Sequence, residues 1–252
     1  MIKDTELLQK RLVELANKAY NSSIFTFTDF LGLAEQSVFN AVKKDIRGVN
    51  FVTFGGVEGA ERFVIRFGSA DELGYELPFP ISIIKVEPQS QKYADKLTHR
   101  DFLGALLNLG IERDTIGDIV IIDNVGYIFA LDNIASYIAE SLIKVKRTDV
   151  SAKIIDELPD GELYRTEQRI VQISSERLDA VIAKTFNLSR EDAQSLFKKR
   201  LVFVDGREID SASYTPKENE KISVRGHGRF IYIGKQSLSK KGKLNVAIDI
   251  YV

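Results

Sequence analysis

The sequence predicts an α+β chain in three parts: an N-terminal α/β segment, a ferredoxin-like middle domain and a C-terminal domain of two helices on a small antiparallel sheet. Three observations carry this. The middle third reads β-α-β-β-α-β, the split order of ferredoxin-like folds. From Ser174 onward, two short helices precede a run of strands and tight turns. Charge divides in the same place: residues 176–252 hold 15 Lys and Arg against 10 Asp and Glu, while residues 1–175 hold 20 against 26. A net +5 beside a net −6 suggests modules with different partners, and nucleic acid suits the basic one. A length of 252 residues allows one to three domains of ordinary size. The expected division is 1–78, 79–150, a connector at 151–173, and 174–252.

Residues 3–20 read as a helix, with Leu8, Leu12, Leu15 and Ala16 at helical spacing. Asp29 is placed to cap a second helix, where Phe30, Leu33, Ala34, Val38, Ala41 and Val42 follow the i, i+3, i+4 rule. Residues 50–54 and 63–67 read as strands around the cluster Gly55-Gly56-Val57-Glu58-Gly59. A phosphate cradle there would need a Gly-Lys-Ser/Thr ending and a following helix. Both are missing, so the cluster reads as a hairpin loop.

In the middle third, residues 81–86 are an apolar, β-branched strand between prolines. Residues 99–109 form a helix with Phe102, Leu103, Leu106 and Leu107 on one face, stopped at Gly110. Strands at 119–122 and 125–130 flank the turn Asp123-Asn124, and a helix follows over 132–143 with Ile134, Ala135, Ile138 and Leu142 inward. The last strand belongs near 144–147 or at 169–173. Gly126-Tyr127-Ile128-Phe129 faintly echoes the aromatic strand of RNA-recognition modules. It lacks their basic and second glycine positions, so these aromatics read as core. Pro159-Asp160-Gly161 marks a turn in the polar connector.

The C-terminal run starts a helix at Ser175-Glu176-Arg177-Leu178-Asp179-Ala180-Val181-Ile182. A second helix is capped by Ser189, with Asp192 at the third position. Ala193, Leu196 and Phe197 share one face, and Arg190, Gln194 and Lys198 form an adjoining polar stripe. Val202-Phe203-Val204, the turn Asp205-Gly206 and Arg207-Glu208-Ile209 make a hairpin. A later strand runs into the basic glycine loop Arg225-Gly226-His227-Gly228-Arg229.

These motifs, within about sixty residues, resemble the RNA-binding domain of small-subunit ribosomal protein S-four, the αL motif: Arg-Leu-Asp, Ser-Arg-x-x-Ala, a basic helix end, Val-x-Val-Asp-Gly and a closing strand with Arg-Gly. By position the resemblance nominates Arg177, Arg190, Gln194, Lys198, Lys199, Arg200, Arg207, Arg225 and Arg229 for RNA. Two positions depart from the pattern. Arg200 stands where the family has a left-handed glycine, a conformation that costs a side chain roughly 1 kcal/mol. Either the turn differs or the charge offsets that cost through RNA. Asn219-Glu220 replaces Gly-Asp as an equivalent turn.

The likeness extends inward. Thr98-His99-Arg100-Asp101-Phe102-Leu103-Gly104-Ala105-Leu106, Leu109-Gly110-Ile111, Ile116-Gly117-Asp118-Ile119 and the tail Ser239-Lys240-Lys241-Gly242-Lys243 resemble the YlmH family of bacterial RNA-binding proteins. That resemblance implies a non-catalytic factor on ribosomal RNA and tRNA of the large ribosomal subunit, in ribosome-associated quality control. It implies a cytoplasmic, ribosome-associated location.

Composition narrows the chemistry. The absence of cysteine excludes disulfides, Cys-based zinc, iron–sulfur clusters and thiol nucleophiles, and two histidines exclude a His-rich metal site; no cofactor is expected. Every apolar run is too short for a membrane span, and the charged first twenty residues are no signal peptide. A proton-transfer role for His99-Arg100-Asp101 fails on geometry, because helix neighbours point about 100° apart, and no nucleophile accompanies them. Capping by Thr98 and Asp101, with Arg100 on RNA phosphate, fits better. His227 reads as an exposed or RNA-contacting loop residue. Lys198-Lys199-Arg200 reads as an RNA contact, whereas Lys240 and Lys241 are left open between solvated surface and RNA. The alternative class is an RNA-modifying enzyme, a pseudouridine synthase or methyltransferase with an appended RNA-binding domain. Residues 1–175 show neither a cofactor loop nor a Gly-Arg-Leu-Asp segment. A third class is an adaptor whose acidic N-terminal half docks a protein partner.

Overall fold

The computed structural model describes residues 2–46, 48–159, 163–239 and 242–251. The turn expected at Asp160-Gly161 and the pair Lys240-Lys241 lie outside the described residues. The chain divides into two compact units, 1–163 and 164–252.

The first unit begins with α1 (Ile2–Ser22), β1 (Thr26–Phe27), α2 (Leu33–Val42), β2 (Phe51–Phe54), β3 (Val64–Phe67) and the short α3 (Ala70–Leu73). The strands make a sheet of order β1-β3-β2. Leu12, Leu15 and Ala16 of α1 are buried against Phe39, Val42, Ile65 and Phe67. Asp29 does not cap α2, whose N-cap is Gly32. The chain stays extended one stretch longer because Leu31 bridges Phe63 and the Phe30 amide donates to the Asp114 carbonyl (2.8 Å). The inward face of α2 therefore shifts to Leu33, Gln36, Phe39 and Val42.

The ferredoxin-like order follows: β4 (Ile81–Pro88), α4 (His99–Asn108), β5 (Ile116–Ile122), β6 (Val125–Leu131), α5 (Asp132–Ser141), β7 (Lys144–Val145) and β8 (Thr148–Ile155), in a sheet of order β5-β6-β4-β8-β7. Asp123 and Asn124 both have positive φ, which suits a two-residue hairpin turn. Gly126 is demanded by packing: a Cβ there would lie 2.6 Å from the Phe102 ring. A strand does form at the first expected place, the short β7, but at the sheet edge; the strand that closes on β4 is β8, paired from Ile83↔Ile155 to Pro88↔Val150. The boundary expected at 78/79 is stitched rather than open. Arg62 donates to the carbonyls of Ile116 (2.9 Å), Phe30 (2.9 Å) and Arg113 (3.1 Å), and the Asp118 carboxylate accepts the amides of Glu61 and Arg62.

The second unit holds β9 (Thr166–Ile173), α6 (Leu178–Thr185), α7 (Arg190–Lys198), β10 (Val202–Val204), β11 (Arg207–Glu208), β12 (Lys221–Val224), β13 (Gly228–Leu238) and β14 (Leu244–Tyr251). The sheet order is β11-β10-β12-β13-β14-β9. All eight residues of β9 pair with β14, from Thr166↔Tyr251 to Ile173↔Leu244. The stretch expected to be connector thus carries strand at both ends, β8 in one unit and β9 in the other. Leu178, Val181 and Ile182 of α6 and Ala193, Leu196 and Phe197 of α7 close the core against Val202, Val204, Ile222, Val224, Phe230 and Ile248. Among the described residues no helix is long and apolar enough to cross a membrane.

Candidate nucleic-acid interface

Two helices and one buried acid organise the C-terminal charges. α6 starts without a side-chain cap; instead the amides of Leu178 and Asp179 donate to the carbonyls of Tyr214 (2.7 Å) and Ala212 (3.2 Å). This plants Asp179 in the first turn, its side chain wholly buried. Arg177 donates to both of its oxygens (3.1 and 3.0 Å), Gln194 to one (2.9 Å), and Arg190 lies 3.5 Å away. Burial alone would raise the Asp179 carboxyl. The hydrogen bonds from Arg177 and Gln194 and the charges of Arg190 and Arg177 outweigh it and hold the group below the ordinary carboxylate range. The two arginine side chains remain 40% and 47% exposed, so they are oriented by the acid while still open to a ligand.

Ser189 caps α7, accepting from the Asp192 amide (3.0 Å). Lys198 continues the stripe of Arg190 and Gln194 and is exposed. The helix ends in a Schellman turn: Leu201 N–H reaches the Leu196 carbonyl and Arg200 N–H that of Phe197, both at 3.0 Å. Arg200 holds φ +58°, so the left-handed turn is kept despite the missing glycine. Its guanidinium donates to Glu208 (2.5 Å) and stays largely exposed. Asn219, at φ +68°, likewise serves as the equivalent turn.

The remaining candidates stand apart. Val224 and Phe230 face the helices, so their neighbours Arg225 and Arg229 lie toward the other side of the sheet. Arg225 stacks on Phe203 (5.2 Å to the ring centroid), and Arg229 sits over Tyr164 (4.4 Å) and Tyr251 (4.2 Å). Arg207 is exposed on the β10–β11 hairpin. His227 is exposed, its ring 5.8 Å from that of Phe186.

In the first unit, Asp101 accepts the Thr98 amide (2.9 Å) and hydroxyl (2.7 Å) in a capping box, the capping role expected of this pair. Arg100 is exposed beside it. Burial and the Arg113 charge lower the His99 pKa. Tyr127 and Phe129 are buried, as expected of core aromatics. Sequence reasoning missed Asp179 as the organiser, although it stood inside the Arg-Leu-Asp motif. The tyrosines around Arg229 left no local signal. Among the described residues no group of His, Asp and Glu is disposed to hold a metal ion.

Two family models match: "Putative RNA-binding domain in YlmH" over residues 76–157 and the S4 domain over residues 176–222. A curated protein of Bacillus subtilis (strain 168), Ribosome-associated protein quality control protein P2, is 30% identical over 255 residues, covering 98% of this chain and 93% of that protein. Among solved structures, Cell division protein ylmH from Streptococcus pneumoniae aligns with a TM-score of 0.47 at 22% identity, covering 62% of this chain and 93% of that one.

Proposed function

Because the chain belongs to the YlmH family of RNA-binding proteins with a C-terminal S4 domain, we propose that it is a non-catalytic RNA-binding factor of the large ribosomal subunit. It acts in ribosome-associated quality control, as the name of its Bacillus subtilis relative states for that protein. Its partners there are ribosomal RNA and tRNA. The observation that carries this reading is the Asp179 clamp. A buried carboxylate sets Arg177, Arg190 and Gln194 side by side at the starts of two helices, the arrangement that phosphate contacts need. Lys198, Lys199 and Arg200 extend the surface along and past α7, and Arg100 adds a contact in the middle domain. Arg225 and Arg229 are left out of this surface, and Arg207 stands at its margin.

The reading is tested by cosedimentation with purified large subunits over a range of salt. With about five phosphates neutralised, log affinity should fall against log salt with a slope near −3.5 to −4.5. Salt-independent association contradicts it. Nucleotide-resolved mass spectrometry of ribosomal RNA incubated with the protein should show no new modification; one that appeared would make the protein an enzyme.

A further inference from the structure

The middle domain resembles RNA-recognition folds that present an aromatic sheet face to RNA. Here that face is occupied at Phe129. A Cβ on Gly56 would lie 2.4 Å from the Phe129 ring, and one on Gly117 would lie 2.6 Å from Phe30 and 3.1 Å from Phe129 Cβ. Phe129 and Phe30 are almost wholly buried together. The N-terminal segment therefore covers the aromatic at which a base would stack.

The helix side differs. A cleft of about 480 Å³ runs along α4 and is closed by the end of α5 and the β7 hairpin. Three cations line it, Arg100, Lys144 and Lys146, with one acid, Asp101. That acid is engaged as a helix cap: the Thr98 hydrogen bonds, with Lys146 nearby, hold its carboxyl below the ordinary range. Lys144 meets Asp149 only at 3.4 Å, both more than half exposed. The floor holds Gly104 and Ala105, with Ile143 at the rim, 69% exposed. Gly104 is the telling residue. A glycine inside a helix is unfavourable, and packing does not require this one, since a Cβ there would meet nothing within 4 Å. What its missing side chain leaves is an open surface for the close approach of a ligand.

We propose that this groove, resting on the RNA-binding function above, seats one nucleotide of the bound RNA. Its phosphate would lie on Arg100, Lys144 and Lys146, and its sugar and base over Gly104 and Ile143. The volume falls within the range of pockets that hold a single small ligand. An acidic protein segment is the rival occupant. The excess of cations, in a region matched by a model of an RNA-binding domain, favours RNA.

The test is equilibrium binding of the full chain to ribosomal RNA extracted from large subunits, across salt, with melting curves for each protein. Replacing Arg100, Lys144 and Lys146 together by Ala should weaken binding and flatten the log–log slope by roughly 0.7–0.9, the share of one phosphate contact. Gly104→Leu should weaken binding severalfold while the melting temperature holds or rises. An Arg190→Ala/Lys198→Ala protein runs alongside. If it loses slope as expected while both groove variants bind like the unsubstituted protein, the groove proposal alone falls. The same holds if the groove variants lose only an acidic protein partner. If the unsubstituted protein shows no salt-dependent binding, the function falls and the groove with it.

Discussion

Asp179 spends one buried charge on three ligands, so its loss should be felt in both folding and binding. Asp179→Ala leaves Arg177 and Arg190 free to turn toward solvent, and removes hydrogen bonds to a charged group worth about 1.5–3 kcal/mol each at most. Because both arginines are nearly half exposed, a net cost of about 1–3 kcal/mol is expected, read as a lower melting temperature with weaker RNA affinity. The native pKa is depressed, so this stability is complete above the unfolded value of about 3.9 and fades as pH falls through the native one. The melting difference between the unsubstituted protein and Asp179→Asn should therefore narrow only below about pH 4. Arg200 makes a second residue test. At φ +58°, Arg200→Gly relieves roughly 1 kcal/mol of backbone strain and gives up an exposed pair worth no more than about that, so melting should hold or rise. Arg200→Val, β-branched in the same turn, should lower it.

At the scale of elements, the two faces of α7 separate folding from binding. Phe197 is buried in the core, and Phe197→Ala should cost roughly 3–5 kcal/mol, enough to unfold so small a unit when measured by thermal melting. The adjoining polar face was legible in the sequence: Ser189, the Arg190-Gln194-Lys198 stripe and the turn at Arg200 are local patterns within one helix and its caps. β8 was not. Thr148–Ile155 alternates weakly and is charged, and only its register against β4 makes it a strand. β9 was seen as one of two places for the middle domain's last strand, yet it pairs with β14, more than seventy residues on. Pairings at that distance leave no periodic mark. The same holds for Arg62 and Asp118, whose hydrogen bonds tie loops more than fifty residues apart.

For the whole molecule, the order of parts was readable, whereas the joints between them were set by these long-range contacts. The natural cut falls after Leu163, between the two compact units. Residues 1–163 should melt cooperatively alone, and residues 164–252 should melt higher than 174–252, which lacks β9 and leaves β14 as an exposed edge. Equal melting of the two C-terminal pieces would show that β9 adds nothing to that sheet. The claim that matters most is that the α6–α7 face holds RNA, and one comparison reaches it directly. The affinity of the unsubstituted protein and of Arg190→Ala/Lys198→Ala for large-subunit ribosomal RNA is measured across salt, with melting of both. Alanine keeps good helix formers at both positions, so melting should change by no more than a few tenths of a kcal/mol in helix propensity and the small share of Arg190 in the Asp179 cluster. The account expects weaker binding and a slope flatter by about 1.5 to 2. A variant that melts normally and binds with the slope of the unsubstituted protein would contradict it.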